Sequence, residues 1–209
     1  MLEIFPTRIL KASMPNYNRE ETIALIEPFF AQVDSKNATG IQLSGTGNDI
    51  STSTNGLLYL HKEKSIAHIT EFIKQQVEVY WRESKFLNLP EIQYMWANKY
   101  FKNGFAAMHN HSPHILTGVF YISMENDDQG RIVFQDPNEA ILCTQPQCHE
   151  DRVAQNSYSL SIRSGDILVF PSWLKHYTQP NKTDDPKISM AFDINFKGME
   201  LMRKLAATL

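Results

Sequence analysis

The spacing of apolar residues changes along the chain. In the first third they recur at helical intervals: Ile23, Ile26, Phe29, Phe30 and Val33 form one stripe, and Ile66, Ile69, Ile73, Val77 and Tyr80 form another. Asn18 followed by Glu21 resembles a capping box and predicts a helix opening there, which Pro28 should kink or shorten. A short opening strand is predicted from Leu2 to Leu10. Between the stripes, a polar stretch from Lys36 to Asn55 predicts a long loop with room for a short strand at Ile41 to Leu43. The second stripe reads as core packing rather than a cofactor contact.

From Ile92 the spacing shortens to that of strands. Ile92 to Phe101, Ile115 to Met124 and Arg131 to Phe134 read as three of them, with Glu125 to Gly130 turning between the last two. Tyr158 to Ile162 and Ile167 to Phe170 flank Arg163-Ser164-Gly165-Asp166 and read as a hairpin. The last strand is the clearest: Ile188, Met190, Phe192, Ile194 and Phe196 alternate with Lys187, Ser189, Ala191, Asp193 and Asn195. Helices first and antiparallel strands afterwards predict an α+β fold. Its core would be a jelly roll (double-stranded β-helix) over about 91–200, with the helices of about 1–90 packed on one sheet. At 209 residues and 42% hydrophobic content, the chain 1–209 can bury a full core as a single domain.

Charge and cysteine content narrow the function classes. A formal net charge of −3 and a pI near 6.2 give no strong nucleic-acid signal, because polyanion binding relies on clustered Lys and Arg. No run of eighteen apolar residues predicts a membrane span, and the start Met-Leu-Glu-Ile-Phe-Pro-Thr-Arg lacks the features of a signal peptide. The two cysteines, Cys143 and Cys148, sit in a polar stretch ending in His149. The spacing and fourth ligand of a zinc site are missing, so free thiols in a reducing cytoplasm are the expected reading. The Phe- and Leu-containing N-terminal half offers a surface for a homodimer.

The candidate chemistry lies in three of the seven histidines. His109-Asn110-His111 on a strand would place two imidazoles on one face, with α-carbons roughly 6.5–7 Å apart. A His-x-His pair is more often exposed or hydrogen-bonded than metal-binding. A third histidine, His176, changes the weight: it follows a strand that Pro171 breaks, so that a jelly roll can bring it to the same metal. Lys187 and Ser189 fall on the polar face of the last strand. They form either a clamp for a carboxylate, a point charge plus a hydroxyl, or an edge lysine beside a solvent-facing serine.

A longer series of blocks carries a family resemblance. Trp96-Ala97-Asn98, Gly104, His109-Asn110-His111-Ser112-Pro113, Thr117 to Tyr121, Gly130 to Pro137, Ser164 to His176 and Lys187-Ile188-Ser189 resemble the 2-oxoglutarate/Fe(II)-dependent oxygenases of bacteria and phages, relatives of the prolyl hydroxylases. The resemblance runs from about Trp96 to Asn195. It implies Fe(II), 2-oxoglutarate as cosubstrate and O2. It also implies His109 and His176 as iron ligands, Lys187 paired with the far carboxylate of 2-oxoglutarate, and Ser189 assisting it. Asn98 and Tyr100 share the face of Trp96 and would reach the cosubstrate. The wider superfamily places Asp or Glu where this chain has His111. Three outcomes are open: His111 is the third ligand, a carboxylate such as Asp136 substitutes, or water fills the position. His-x-His runs within the subgroup favour His111, with His114 as a pocket residue behind the ligands.

The resemblance implies a dioxygenase that hydroxylates an unidentified small-molecule or macromolecular substrate with release of succinate and CO2. Two rivals stand beside it. A three-histidine cupin-like iron dioxygenase, needing no 2-oxoglutarate, accounts for His109, His111 and His176 but gives Lys187 and Ser189 no task. A non-catalytic jelly-roll binding module is permitted by Trp96, Tyr121 and Trp173, although such aromatics are more often packing.

Overall fold

The computed structural model describes residues 6–32, 51–54, 57–138 and 156–199. The strand expected at Ile41 to Leu43, the first residues of the opening strand, and the Cys143, Cys148 and His149 group lie outside the described residues.

Helix α1 spans Arg19–Gln32 and helix α2 spans Ala67–Glu83. Asn18 opens α1 as expected: its side-chain oxygen accepts from the Glu21 N–H at 3.2 Å. Glu20 and Glu21 in the first turn complement the positive end of the helix dipole. The helix continues past Pro28 to Gln32, so the proline does not end it. In α2, Ile69, Phe72, Ile73, Val77 and Tyr80 are buried along one face, the stripe seen in the sequence. Each such side chain contributes about 1.5–3 kcal/mol when fully buried.

Among the described residues nine strands follow or flank the helices: β1 Leu10–Ser13, β2 Ser51–Ser53, β3 Pro90–Tyr100, β4 Leu116–Ser123, β5 Ile132–Gln135, β6 Ser157–Leu160, β7 Asp166–Pro171, β8 His176–Thr178 and β9 Lys187–Phe196. The opening strand thus begins where the sequence pattern ends it, because Leu10 to Ser13 are the residues that register against β7. Six strands form one antiparallel sheet in the order β1-β7-β4-β9-β3-β2, and three form a second in the order β6-β5-β8. The fold is an α+β jelly roll.

Alternation distributes the two faces of the large sheet. Phe120, Ile122, Ile167, Val169, Ile188, Met190, Phe192 and Ile194 pack with the helices, while Tyr121, Leu168 and Phe170 meet Ile132 and Phe134 of the small sheet. Gly118 of β4 is required by this packing: a Cβ there would stand 2.2 Å from the Phe192 ring and 2.5 Å from the Leu168 carbonyl oxygen.

The expected hairpin across Arg163 to Asp166 is not one. Strand β6 pairs with β5, whereas β7 pairs with β1 and β4, so this turn carries the chain from the small sheet to the large one. The physical reason is burial. Residues Asp166 to Phe170 are all buried, and a strand covered on both faces belongs in the middle of a sandwich, not in a half-exposed ribbon.

Candidate metal and cosubstrate site

His109 and His111 lie on the connection from β3 to β4, and His176 opens β8. The connection forms no strand at the histidines, the arrangement in which alternation would put both rings on one face. Its pairing is a single antiparallel bridge in which His109 and His176 exchange both backbone hydrogen bonds at 2.9 Å. Two residues on, the His111 N–H donates to the Ser172 carbonyl at 2.8 Å, and Ser172 Oγ donates to the His114 carbonyl. The two segments are laced together by main chain. That lacing, rather than strand alternation, brings the imidazoles to one place.

One ligand-type nitrogen from each of His109, His111 and His176 lies within 4.8 Å of the other two, and no carboxylate joins the group among the described residues. The carbonyls of Ala107 and Leu174 accept from Nδ1 of His109 and His176, at 2.6 and 2.9 Å. Both rings are thereby fixed with Nδ1 protonated and Nε2 free as a lone-pair donor. Burial, with the neighbouring His109, pulls His176 down to about 3, and burial lowers His109. Neutral imidazoles with oriented lone pairs are what a first-row divalent metal binds.

Beside the histidines a cavity opens between the sheets, and it contains every cosubstrate residue expected from the sequence: Asn98, Tyr100, Lys187 and Ser189. The register explains why. Across the β3–β9 ladder Tyr100 faces Lys187 and Asn98 faces Ser189, while Tyr121 of β4 faces Ser189 from the other side. Lys187 is 1% exposed. Its ammonium donates to the Gly130 carbonyl at 3.1 Å and lies 4.9 Å from the centre of the Tyr100 ring. Burial drops its pKa to about 7. Gly130 adopts φ +89°, and a Cβ there would meet the Gln179 carbonyl oxygen at 1.9 Å, so the acceptor for Lys187 depends on this glycine.

The cavity fits a dicarboxylate beside a metal ion. It holds a buried cation with no carboxylate among its lining residues. Two polar atoms in its wall, Tyr121 Oη and Trp96 Nε1, are buried without a hydrogen-bond partner. Buried donors of this kind need acceptors, and carboxylate oxygens supply them. In the sequence Trp96 and Tyr121 stand only as aromatics that a binding module could use and that more often pack. The signal was present, since Trp96 shares its strand face with Asn98 and Tyr100, and Tyr121 alternates with the core residue Phe120.

The remaining candidates fall outside the histidine cluster. Asp136 does not join it and lines a separate depression with Gln135, Pro137, Trp173 and Lys175. Trp173 is half exposed there. His114 stands behind His111, its Nε2 at 3.5 Å from Asp193 Oδ2. Asp193, 6% exposed, also approaches His111, with Oδ1 2.9 Å from Nδ1. That approach is within hydrogen-bond distance but off the line of the ring N–H, which leaves Oδ1 without a proper partner.

Comparison with known proteins agrees with this geometry. Residues 94–193, which hold all the site residues named above, match the family model described as "Putative 2OG-Fe(II) oxygenase". No curated protein matches in a sequence search. Among solved structures, HygX from Streptomyces hygroscopicus with nickel and 2-oxoglutarate bound aligns with a TM-score of 0.60 and 11% identity, over 91% of this chain and 84% of that one. The epimerase SnoN from nogalamycin biosynthesis, described as non-heme and alpha ketoglutarate dependent, aligns at 0.63 with 13% identity, over 91% and 79%. A prolyl hydroxylase from Trichoplax adhaerens, solved with a peptide fragment, aligns at 0.60 with 9% identity, over 92% and 84%. At these identities the structures speak for the fold alone, and the family match over residues 94–193 speaks for the chemistry: this stretch, which carries the whole site, is similar to the 2-oxoglutarate- and Fe(II)-dependent oxygenases.

Proposed function

We propose that the chain hydroxylates a C–H bond of its substrate, with His109, His111 and His176 holding the iron and Lys187 holding the far carboxylate of 2-oxoglutarate. The observation that carries this reading is one cavity lined both by three converging imidazoles and by a buried, otherwise uncompensated lysine. When bound, Fe(II) with O2 supplies the oxidative decarboxylation of 2-oxoglutarate to succinate and CO2, the second oxygen atom passing to the substrate.

The residues divide the remaining work. His109 and His176 present fixed Nε2 lone pairs, and their carbonyl partners hold the rings in that tautomer. Lys187 neutralises the distal carboxylate, and Tyr121 Oη, Ser189 and Asn98, which line the same cavity, donate to its oxygens. Tyr100 and Trp96 wall the cavity and limit water. A cupin-like dioxygenase without 2-oxoglutarate would leave Lys187 buried, its ammonium disfavoured, with no acid group to pair with. We further propose that the chain works as one domain in the cytoplasm. In support, among the described residues no helix is long and apolar enough to cross a membrane.

The test is anaerobic addition of Fe(II) and 2-oxoglutarate, which should produce a weak visible charge-transfer band. Lys187→Glu should weaken 2-oxoglutarate binding while leaving iron bound. Iron binding without the band in the native chain would remove the cosubstrate assignment. Failure to bind any metal would favour a binding module. Succinate release under oxygen, stimulated by candidate substrates, then identifies what is hydroxylated.

A further inference from the structure

The family pattern of two histidines and a carboxylate gives the iron one anionic ligand, and the three imidazoles here give none. The nearest candidate for the missing charge is one shell outward. Asp193 sits on the inner row of β9 that already carries Lys187 and Ser189, and its carboxylate lies between His111 and His114.

A chain of donors and acceptors fixes the orientation of this group. Asn195 Oδ1 accepts from the Ile115 N–H at 3.1 Å, so its amide nitrogen is the atom facing Gln93 Oε1 at 2.7 Å and His114 Nδ1 at 3.1 Å. An amide nitrogen only donates. His114 Nδ1 therefore accepts, and the ring proton of His114 sits on Nε2, the atom that points at Asp193. Oδ2 lies 3.5 Å from His114 Nε2, and Oδ1, a buried acceptor still without a hydrogen bond, lies 2.9 Å from His111 Nδ1, so a small turn of the His111 ring would let Nδ1–H donate to it. His111 is itself held by its backbone bond to Ser172 and by stacking on Trp96, with ring centres 5.8 Å apart. A proton on Nδ1 leaves Nε2 free for the centre.

We infer that Asp193 is the positioning residue of a three-histidine centre: through His111 it supplies, from the second layer, the negative charge that related sites place directly on the metal. This rests on the reading of His109, His111 and His176 as metal ligands. A carboxylate behind a ligating imidazole fixes its tautomer and raises its basicity, and removing such a partner commonly lowers metal affinity about 10–100-fold. His114 and Asn195 act only by holding Asp193.

The experiment is a Co(II) titration of the metal-free full chain, followed by the d–d absorption of the bound ion. Asp193→Asn should weaken Co(II) binding about 10–100-fold and shift the absorption, with the near-UV circular dichroism of the metal-free protein unchanged. His111→Asp puts the charge on the metal itself, so in that background Asp193→Asn should change affinity by less than about threefold. The inference is overturned if Asp193→Asn binds Co(II) like the native chain, or if its loss is equally large in the His111→Asp background, which would mark a purely structural role. If the native chain takes up no Co(II), the metal-centre reading itself falls. Should Asp193→Asn not fold, the Co(II)-loaded native chain decides the matter by proton NMR. Three paramagnetically shifted, exchangeable ring N–H signals are expected, one each from His109, His111 and His176, and a missing His111 signal would overturn the inference.

Discussion

Lys187 carries its charge where the protein interior disfavours it. Burial lowers its pKa from 10.5 to about 7, so between those values the unfolded chain binds the proton and the folded chain does not. Stability of the ligand-free protein should therefore rise with pH from about 7 towards 10.5, and Lys187→Met should abolish that slope in urea melts at pH 7, 8 and 9. A dicarboxylate reverses the preference. At pH 8 the binding of 2-oxoglutarate to the iron-loaded protein should take up a proton, approaching one per site, measurable by calorimetry in buffers of different ionisation enthalpy. Binding without uptake would mean that Lys187 does not meet the cosubstrate. This residue was legible in the sequence as one of two equal readings, clamp or edge lysine. The register, which sets Tyr100 opposite it and Gly130 beneath it, buries Lys187 and so rules out the edge lysine.

Within the elements, packing tolerances follow from the alternation. Gly118 has no room for a side chain between Phe192 and the Leu168 carbonyl, so Gly118→Ala should lower stability by about 1–3 kcal/mol in chemical denaturation, and Gly118→Val by more. The faces of β9 were readable from sequence because a period of two survives any detail of tertiary structure. Three features were not readable. The Arg163 to Asp166 turn looks local but joins different sheets, which only the two-sided burial of β7 betrays. The His109 to His111 segment is held by the Ser172 and His176 main chain, a pairing more than sixty residues away in sequence. Asp193 was visible only as one polar position in an alternating row, because its partners come from another part of the chain.

Across the whole molecule, the proposed metal adds a tie between two parts already linked by main-chain hydrogen bonds. His109 and His111 hang from the large sheet through the β3–β4 connection, and His176 belongs to the small sheet. A ligand that binds only the folded state stabilises it by about 2.7 kcal/mol at 100 times its Kd, and a chain of this size gains about 2–4 °C in Tm per kcal/mol. Anaerobic Fe(II) with 2-oxoglutarate should thus raise Tm by about 5–10 °C, and a chelator should reverse the gain. Calorimetric scans at two metal concentrations would check it. The general plan of this architecture was legible from the order of helices and strands, since each period names its element and the elements leave few ways to bury both helix stripes.

The inner row of β9 has a consequence for how the protein can vary. Lys187, Ser189 and Asp193 on one face and Ile188, Met190, Phe192 and Ile194 on the other leave almost no uncommitted position along ten residues. A single inserted or deleted residue would turn the whole set inside out, placing the lysine in the helix-facing core. New substrates must therefore be acquired through the connections at the rim of the sandwich. A library for altered specificity should leave this strand alone.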